Sequence, residues 1–365
     1  MSESTDRKIR AGVIGVGWAG EQHLIGYSTA DDVEIVGLAG MEPDRLELLG
    51  DRYGAELRFA DWEQLLAEGD LDVVSICTPT ALHGPMAIAA LNAGVHVLSE
   101  KPMAENADVA RAMVDAARAN DRVLDVLFNH RRGGQVKALK KIIDQGILGN
   151  IYYAKAGWLR RSGIPGLGSW FTKMATAGGG PMMDIGVHML DMAMHLLNEP
   201  RVTTVSAATY AEFGPRGRGG AGGLAGAKSG GSGAVDFEVE DLSTAFMRLD
   251  TGSTLLLETS WASWIPHDLI YVNVYGSEGG ATLELGGAPA TYTKLDVWTE
   301  VAGVPAELQP DIPASGGHTE AVQDFLVLVR SGDWEQHRGE MGLSRSVVVD
   351  ACYASAQKGA EVTVD

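Results

Sequence analysis

Strand-like and helix-like segments alternate from the start of the chain to residue 128, and this alternation constrains the fold more than any other feature. The strand-like segments show little polar alternation, which is typical of parallel strands covered on both faces. They run from Ile9 to Ile14, Glu34 to Leu38, Asp72 to Cys77, His96 to Ser99 and Val123 to Phe128. The amphipathic segments between them include Arg45 to Tyr53, His83 to Ala93 and Ala107 to Ala119. The pattern predicts a doubly wound parallel α/β domain over residues 1–128.

The pattern changes after a predicted helix from Gln135 to Gln145. Strand-like segments then follow one another, several of them joined by short turns such as Asp250-Thr251-Gly252. They run from Ile151 to Leu159, Val202 to Ala211, Leu242 to Leu249, Thr254 to Trp261, Leu269 to Tyr275, Ala281 to Leu285 and Thr291 to Val297. Residues 129–340 are therefore predicted to form an α+β domain with a large, mostly antiparallel open sheet. In the last segment, residues 341–365, we expect the helix from Leu343 to Lys358 to pack back on the first domain.

One stretch inside the second domain, from Gly214 to Gly233, is unusually rich in glycine. Glycine raises the entropy cost of ordering a segment, so we expect a mobile loop between strands. A phosphate-binding loop is the less favoured interpretation, because the stretch is long and is not tied to the start of a helix.

Charge and composition exclude several classes of function. A net charge of −19 disfavours nucleic acid and anionic membranes as partners, because both would be repelled. No apolar run approaches the ~20 residues of a membrane span, and the first residues do not resemble a secretory signal, so a cytoplasmic protein is expected. The two cysteines, Cys77 and Cys352, lie in apolar runs, which argues against a disulfide framework or a thiolate metal site. Since no His or Cys pair has ligand spacing, we expect no metal.

A glycine turn, Gly15-Val16-Gly17-Trp18-Ala19-Gly20, follows the first strand and opens a helix. At this position each glycine has a mechanical role: Gly15 in the tight turn, Gly17 in close approach of a pyrophosphate, and Gly20 in helix-to-strand packing. Trp18, at the start of the helix, belongs to the same candidate site. The motif predicts a dinucleotide-binding, Rossmann-type domain.

The choice between NAD and NADP depends on the end of the second strand, where an acidic residue normally binds the ribose hydroxyls. Gly40 occupies the expected position, and Glu42 follows in the loop. If Glu42 reaches in, NAD is favoured; if it turns away, Gly40 leaves room for a 2′-phosphate that Arg45 would contact. We expect NAD, because two carboxylates lie close by and the nearby cation is already on the next helix.

A second glycine-rich stretch, Gly178 to Gly180, precedes Pro181, Asp184 and His188. Proline suits the first turn of a helix, and a helix from Pro181 puts Asp184 and His188 on one face, four residues apart. This is a carboxylate beside a possible proton acceptor. Alone, such a pair is more often a surface pair or a core histidine with satisfied hydrogen bonds.

Taken together, these motifs resemble the Gfo/Idh/MocA oxidoreductase family, which includes sugar and inositol dehydrogenases. The resemblance extends over nearly the whole chain, and the order and spacing of its motifs are specific. The motifs are the glycine turn, Cys77-Thr78-Pro79 with His83 and Pro85, the segment His96 to Pro102, the Gly178 to His188 stretch, and the closing Ala351 to Gly359 segment.

The resemblance implies that Lys101 lies beside the nicotinamide and the substrate hydroxyl and that His188 is the general base. Asp184 would bind a neighbouring hydroxyl or steady the histidine. Oxidising a secondary alcohol requires the hydroxyl proton to leave with the hydride, and an imidazole can accept it near neutral pH. A lysine ammonium stabilises the developing negative charge on oxygen. Glu100 would fix the lysine or its backbone, and Pro102 would hold the turn through a cis bond.

Other candidates surround these residues. Thr78, Pro79 and His83 follow the strand-like segment Asp72 to Cys77. Ligands of open α/β sheets gather at the carboxyl ends of such strands, so these residues are predicted to line the cofactor site. His83 is equally well explained as a helix residue without chemistry. Aromatic faces and guanidinium groups suit a sugar ring and its hydroxyls. On this basis Arg160 and Trp170 are predicted substrate contacts, in a region that also contains Trp158, Arg161, Phe171 and Lys173, although Trp158 is equally well explained as a core residue and the arginines as solvated. Arg131 and its neighbour His130 are predicted to face the same cleft, because they lie just past the strand-like segment Val123 to Phe128. Trp261, Trp264 and His267 cluster at another strand end.

Three functions are compatible with these motifs. The leading hypothesis is an NAD(P)-dependent dehydrogenase that oxidises a secondary hydroxyl of a sugar, glycoside or inositol-like polyol. The same residues would serve an NAD-dependent glycosidase that oxidises a sugar carbon, eliminates the aglycone and returns the hydride. A cofactor-binding sensor without catalysis is disfavoured, because relatives of that kind tend to lose the lysine or the histidine. An open sheet further predicts a homodimer or homotetramer.

Overall fold

The computed structural model describes residues 7–220, 223, 236–286, 294–312 and 316–364. Contacts within the chain divide it into two compact units. The first unit comprises Met1–Asn129 and Gly316–Ser344, and the second comprises His130–Ser315 and Arg345–Asp365.

The first unit contains a parallel sheet of six strands in the order β3-β2-β1-β4-β5-β6. Its elements are β1 (Ile9–Ile14), α1 (Trp18–Ser28), β2 (Val33–Ala39), α2 (Pro43–Tyr53), β3 (Leu57–Phe59), α3 (Trp62–Glu68), β4 (Val73–Ile76), α4 (His83–Asn92), β5 (His96–Ser99), α5 (Ala107–Ala119) and β6 (Leu124–Val126). Every neighbouring pair of strands is parallel. The predicted doubly wound sheet is confirmed. The chain reverses its direction of winding between β1 and β4, so the carboxyl ends of these strands form the ligand crevice of such folds.

Two short elements of this unit, β3 and α3, were not predicted. β3 has 3 residues and none of them is fully buried. α3 has 7 residues and begins at Asp61, whose side chain accepts a hydrogen bond from the Glu63 N–H. Elements this short contain too few residues to establish a periodicity in sequence.

The second unit is built on a sheet of nine strands in the order β14-β13-β12-β11-β7-β10-β9-β8-β15. Its elements before residue 310 are α6 (Gly134–Asp144), β7 (Ile151–Leu159), α7 (Met174–Ala177), α8 (Val187–Leu196), β8 (Val202–Tyr210), β9 (Leu242–Leu249), β10 (Thr254–Ser260), β11 (Leu269–Gly276), β12 (Gly279–Leu285), β13 (Lys294–Val301) and β14 (Val304–Leu308). β7 and β10 pair in parallel, whereas the other described pairs are antiparallel. The predicted large, mostly antiparallel sheet is confirmed.

Alternate residues of the central strands form the core of this unit. Ala154 on β7, Leu257 on β10 and Val272 on β11 are fully buried, and α8 packs on these strands. Most of the glycine-rich stretch predicted to be a mobile loop, Gly214 to Gly233, lies outside the described residues. The same holds for residues 291–293, the predicted start of the strand that the structure begins at Lys294.

The C-terminal part of the chain is divided differently from the prediction. A helix that was not predicted, α9 (His318–Ser331), belongs to the first unit, where Val322 packs against Gly26 of α1. The long helix α10 (Glu340–Lys358) contains the boundary between units, and β15 (Val362–Thr363) pairs with β8. The segment predicted to pack back on the first domain is thus mostly part of the second unit, where Ser355 accepts a hydrogen bond from the Ala207 N–H.

The described helices include none with the length and apolar character that a membrane span needs.

Candidate active site

The glycine turn after β1 is packed so closely that two of its glycines tolerate no side chain. Gly15 has a φ of +96°, and a Cβ there would lie 2.3 Å from the Cys77 carbonyl oxygen at the end of β4. A Cβ on Gly20 would lie 1.9 Å from the Gly15 carbonyl oxygen. Among the described residues, no atom would lie within 4 Å of a Cβ on Gly17. Gly15 and Gly20 therefore close the turn, while Gly17 faces space that a ligand can enter.

The helix that follows this turn leaves its first backbone N–H groups available. Gly17 precedes α1 in an extended conformation and makes no side-chain cap. Such a helix start attracts anions through its N–H groups and its dipole. Trp18, the first residue of the helix, is 67% exposed. These features fit the pyrophosphate of a dinucleotide.

At the ribose end the structure describes the surroundings of Gly40, Arg45 and Glu42. A Cβ on Gly40 would lie 2.6 Å from Val16 Cγ2, so Val16 occupies the side-chain position of Gly40. Arg45 donates to the Val16 carbonyl (2.7 Å) and to Glu21 (3.0 Å), which ties its guanidinium to the turn. Glu42 is exposed at the start of α2 and makes no side-chain cap.

The residues after β4 have a structural role that accounts for one predicted cofactor contact. His83 is buried, and its two ring nitrogens lie 2.8 Å from the Pro102 carbonyl and 2.9 Å from the Thr78 carbonyl. Burial lowers the pKa of His83, and the contacts with the two carbonyls oppose that shift in part. His83 thus joins the Thr78-Pro79 turn to the turn after Lys101. This contact explains the histidine without any chemistry.

Glu100 and Lys101 follow β5, and the Lys101–Pro102 peptide is cis. Glu100 is only 7% exposed, and its Oε2 accepts the Lys101 backbone N–H at 3.1 Å. Its Oε1 lies 3.3 Å from Nε2 of His23, whose Nδ1 is 2.8 Å from the Ser75 hydroxyl. The carboxylate of Glu100 therefore fixes the backbone at Lys101.

Burial alone would raise the pKa of Glu100, but its partners outweigh burial. Hydrogen bonding from His23 and the close imidazole of His318, together with the Lys101 charge, hold the pKa of Glu100 well below its usual range. His23, Ser75 and His318 were not predicted from the sequence. The available signal was a histidine one turn into α1, directly after the glycine motif.

In the second unit, the stretch Gly178 to Gly180 packs against two residues from distant parts of the chain, Glu240 and Tyr353. A Cβ on Gly179 would lie 2.0 Å from the Tyr353 hydroxyl oxygen, and a Cβ on Gly180 would lie 2.1 Å from the Glu240 carbonyl oxygen. The Glu240 carboxylate accepts hydrogen bonds from Gly180 N–H (2.9 Å), Met182 N–H (3.1 Å) and the Tyr353 hydroxyl (2.9 Å). Burial raises the pKa of Glu240, although these hydrogen bonds lower it in part.

The segment that follows is not the regular α-helix predicted from Pro181. Met182–Gly186 forms a π-helical turn, and α8 begins only at Val187. Such turns insert an extra residue into a helix and are frequent at functional sites. Asp184 lies in this turn and His188 in the first turn of α8.

Asp184 is held by a residue far along the chain. Its Oδ2 accepts a hydrogen bond from Nε1 of Trp261 at 2.9 Å. Trp261 is fully buried in a cluster with Ile164 and Ile185. From sequence, Trp261 was grouped with Trp264 at a strand end, but its role as a donor to Asp184 was not predicted.

Aromatic side chains surround His188, which is 7% exposed. The ring of His130 stands edge-on to it with 4.7 Å between centroids, and the Trp158 centroid is 6.1 Å away. The guanidinium of Arg160 lies 5.1 Å from the Trp158 centroid. The structure thus brings together His188, His130, Trp158 and Arg160, all of which the sequence had suggested.

The other two predicted substrate contacts, Arg131 and Trp170, each have partners within the second unit. Arg131 forms a bidentate pair with the buried Asp191 and also pairs with Glu199. Arg345 of α10 pairs with the same two carboxylates, so the Arg131 guanidinium belongs to a structural ion-pair network. Trp170 stacks on Phe171 with 3.8 Å between ring centroids.

The first unit has the glycine turn and the free helix start of a dinucleotide-binding domain, and the second places a carboxylate and a histidine, Asp184 and His188, in successive helical turns. This combination defines a dinucleotide-dependent oxidoreductase. A family model described as "Oxidoreductase family, NAD-binding Rossmann fold" matches residues 9–128, and one described as "GFO/IDH/MocA C-terminal domain" matches residues 136–282. The chain belongs to the Gfo/Idh/MocA oxidoreductase family, as the sequence motifs suggested, and its first unit is an NAD-binding domain.

Similar proteins of known activity cover almost the whole chain. A D-glucoside 3-dehydrogenase of Escherichia coli (strain K12) is 32% identical over 99% of this chain and 99% of its own length. A levoglucosan dehydrogenase of Pseudarthrobacter phenanthrenivorans is 30% identical over 98% of both chains. The solved structure of a levoglucosan dehydrogenase with NADH and L-sorbose has a TM-score of 0.81 and 25% identity, covering 98% of this chain and 99% of the other.

Proposed function

We propose that this protein is an NAD-dependent dehydrogenase that oxidises a secondary ring hydroxyl of a glucoside or a related pyranose sugar. The observation that carries the proposal is the pair of fixed groups, Lys101 behind its Glu100 anchor and Asp184 on the Trp261 N–H. The likeness to a D-glucoside 3-dehydrogenase and a levoglucosan dehydrogenase supports the substrate class.

In the proposed reaction His188 accepts the hydroxyl proton. An imidazole acts as a general base near neutral pH and contributes roughly 10²–10⁴-fold to the rate. The Lys101 ammonium stabilises the negative charge that develops on the same oxygen. Asp184, oriented by Trp261, binds a neighbouring hydroxyl or steadies His188. Bound NAD supplies the hydride acceptor, and the protein supplies orientation and charge.

The surroundings of His188 support a sugar as substrate. Trp158 and His130 present aromatic surface next to it, and such surface packs against the apolar C–H face of a pyranose. Arg160, above Trp158, adds donors for ring hydroxyls. Trp170 is proposed as a further contact. Arg131 is omitted from the proposed substrate site, because its guanidinium is paired with Asp191 and Glu199.

The preference for NAD over NADP rests on the end of β2. Val16 occupies the side-chain position of Gly40, and Arg45 is tied to Glu21 and to the Val16 carbonyl. Exposed Glu42 brings a carboxylate to the same end, where it would repel a 2′-phosphate.

The sheet of the second unit also supports self-association. On β7 the residues that alternate with buried Ala154 and Ala156 include Tyr153 and Lys155, which are only partly buried. Lys155 Nζ lies 5.7 Å from the Tyr153 centroid, and Tyr153 stacks on Tyr275. A face of mixed aromatic and charged residues fits a second copy of the chain, so we expect a dimer or tetramer. Light scattering at micromolar concentration tests this, and a monomer would contradict it.

The test of function is a turnover screen with NAD and, separately, NADP against glucosides, anhydrosugars, free sugars and polyols. Reduced nicotinamide and released aglycone are followed together. We expect reduced NAD to accumulate with a pyranoside. Release of aglycone without net reduction would instead identify the redox-assisted glycosidase.

Variants of the two units connect the screen to the proposed residues. His188→Ala should lower kcat by roughly 10²–10⁴-fold, and Lys101→Ala should lower it by about 10²–10³-fold. Both should retain NADH affinity, because neither substitution alters the glycine turn. Near-normal turnover in both variants would refute the proposed mechanism.

A further inference from the structure

Helix α9 brings a residue from the C-terminal part of the chain to the carboxyl end of β5. The helix is anchored on α1, where Gln323 Nε2 donates to the Gly26 carbonyl (2.8 Å) and to the Thr29 hydroxyl (2.9 Å). Arg330, at the other end, forms a bidentate pair with Asp32. The helix is therefore held at several points, and its first residue is His318.

His318 contacts two parts of the candidate cofactor site at once. Its ring stands edge-on to Trp18 with 5.0 Å between centroids and an interplanar angle of 86°. Its Nε2 lies 3.6 Å from Oε1 of Glu100, the oxygen that His23 also approaches. One imidazole thus lies between the exposed tryptophan of the glycine turn and the carboxylate that holds Lys101.

The chemistry of Glu100 explains why this position matters. A buried carboxylate needs charged or hydrogen-bonding partners, because its desolvation is otherwise uncompensated. Oε2 accepts the Lys101 N–H, so the imidazoles of His23 and His318 are the described partners of Oε1. Loss of His318 would remove one of these two imidazoles and let the Glu100–Lys101 segment shift.

We propose that His318 is a positioning residue for hydride transfer, with two separable effects. Through Glu100 it keeps the Lys101 ammonium at the reacting oxygen. Through Trp18 it orients an exposed aromatic ring at the point where the dinucleotide enters the glycine turn. The first effect rests on the proposed dehydrogenase function, whereas the second requires only that the domain binds NADH.

Two substitutions separate these effects. His318→Phe keeps an aromatic ring against Trp18 but removes the N–H that faces Glu100. His318→Gln keeps an N–H at a similar reach but removes the ring. We expect His318→Phe to lower kcat about tenfold while NADH affinity stays near that of the wild type, since small displacements of catalytic groups are costly. His318→Gln should weaken NADH binding about threefold to tenfold, the usual worth of an aromatic pair, and keep most of kcat.

Gln323→Ala is the matched control. It removes an anchor of α9 on α1 without touching Glu100 or Trp18, so it should lower the melting temperature and leave kcat and NADH affinity within about twofold. If His318 is merely structural, all three variants will change kcat and affinity together. That outcome, or unchanged affinity in His318→Gln, would overturn the assignment.

The readouts also separate this inference from the proposed function. NADH affinity is measured by fluorescence titration without any sugar. If the wild-type protein turned over no sugar, the proposed function would fail. The assignment of His318 at the cofactor site would still be supported by weaker NADH binding in His318→Gln and normal binding in His318→Phe.

Discussion

The molecule contains two glycine-rich turns that lead into functional helices, and they use glycine for different reasons. At Gly15 and Gly20 an added Cβ would meet backbone atoms, the carbonyl oxygens of Cys77 and of Gly15 itself. At Gly179 the obstacle is a side chain, the Tyr353 hydroxyl. The first turn is closed by its own backbone and a neighbouring strand. The second is enclosed by two residues from elsewhere in the chain, the Tyr353 side chain at Gly179 and the Glu240 backbone carbonyl at Gly180.

This difference follows from the two sheets. In a parallel doubly wound sheet, the carboxyl ends of β1, β4 and β5 lie at one edge. The sheet itself therefore brings together the short sequence motifs that follow these strands. The helix that carries Asp184 has no such edge to define it. Its position depends on Trp261, 77 residues away from Asp184, and on the contact between Glu240 and Tyr353, 113 residues apart.

The glycine turn of the first unit gives the sharpest test of this comparison. Substitution by alanine should mainly reduce stability at Gly20 and mainly weaken NADH binding at Gly17. Gly20→Ala places a Cβ 1.9 Å from a backbone oxygen and should destabilise the first unit by about 1–3 kcal/mol or more. Gly17→Ala meets no described protein atom, so stability should change by less than about 0.5 kcal/mol. The methyl group would occupy the space of the pyrophosphate and weaken NADH binding at least about tenfold.

Thermal unfolding and NADH titration of both variants distinguish these outcomes. A Gly17→Ala protein that binds NADH normally would show that the open space at Gly17 is not used by the cofactor. A Gly20→Ala protein with wild-type stability would contradict the closed backbone packing of the turn.

In the second unit the corresponding test removes a distant donor. Trp261→Phe keeps most of the buried ring but deletes the N–H that Asp184 accepts. We expect kcat/KM to fall about tenfold, because the carboxylate loses its orientation, and the free energy of unfolding to fall by about 1–3 kcal/mol. NADH affinity should not change.

The matched control is Trp264→Phe, at a neighbouring tryptophan that is 74% exposed. This variant should behave as the wild type in stability and turnover. Equal losses in both variants would mean that the tryptophans of this segment act through packing and not through the hydrogen bond to Asp184.

The same comparison explains which parts of the site could be predicted from sequence. The close packing at Gly15 and Gly20, the cis bond before Pro102 and the contact of Glu100 with the Lys101 backbone could all be predicted, because each motif is local and its backbone geometry is determined by glycine or proline. The two sheets were also accessible, since fully buried β4 and β5 read as continuous apolar runs and β7 to β12 as successive strands.

The remaining features depend on contacts that no local pattern contains. The π-helical turn that contains Asp184 is contacted by Glu240, which accepts hydrogen bonds from the Met182 N–H and the Tyr353 hydroxyl, and the Gly178 to His188 stretch contains no sign of either partner. Helix α9 was not predicted, although Ala321, Val322, Phe325 and Leu326 have helical spacing. Arg131 was expected to contact substrate, and only the structure reveals its pairing with Asp191.

A smaller effect concerns acid, to which both units should respond through histidines whose pKa is lowered by burial: His83 and His96 in the first unit and His195 in the second. Burial lowers the pKa of His96 in the first unit to about 4, where its Nδ1 accepts the Val123 N–H at 2.9 Å. Burial, with the charge of Arg131, lowers the pKa of His195 in the second unit to about 4. Both values lie below the ~6.5 of an unfolded histidine, so each residue contributes stability that is complete above pH 6.5.

That contribution is lost as the pH falls from 6.5 towards 4, because in this range the histidine is protonated in the unfolded chain but not in the folded protein. His96 should contribute a slope of up to about 1.4 kcal/mol per pH unit to the free energy of unfolding. His96→Asn keeps an acceptor for Val123 without a titratable ring, so denaturant unfolding between pH 7 and 5 should show a shallower loss. An unchanged slope in His96→Asn would show that His96 does not contribute, and the acid sensitivity would then rest on His83 and on His195, which His195→Asn tests.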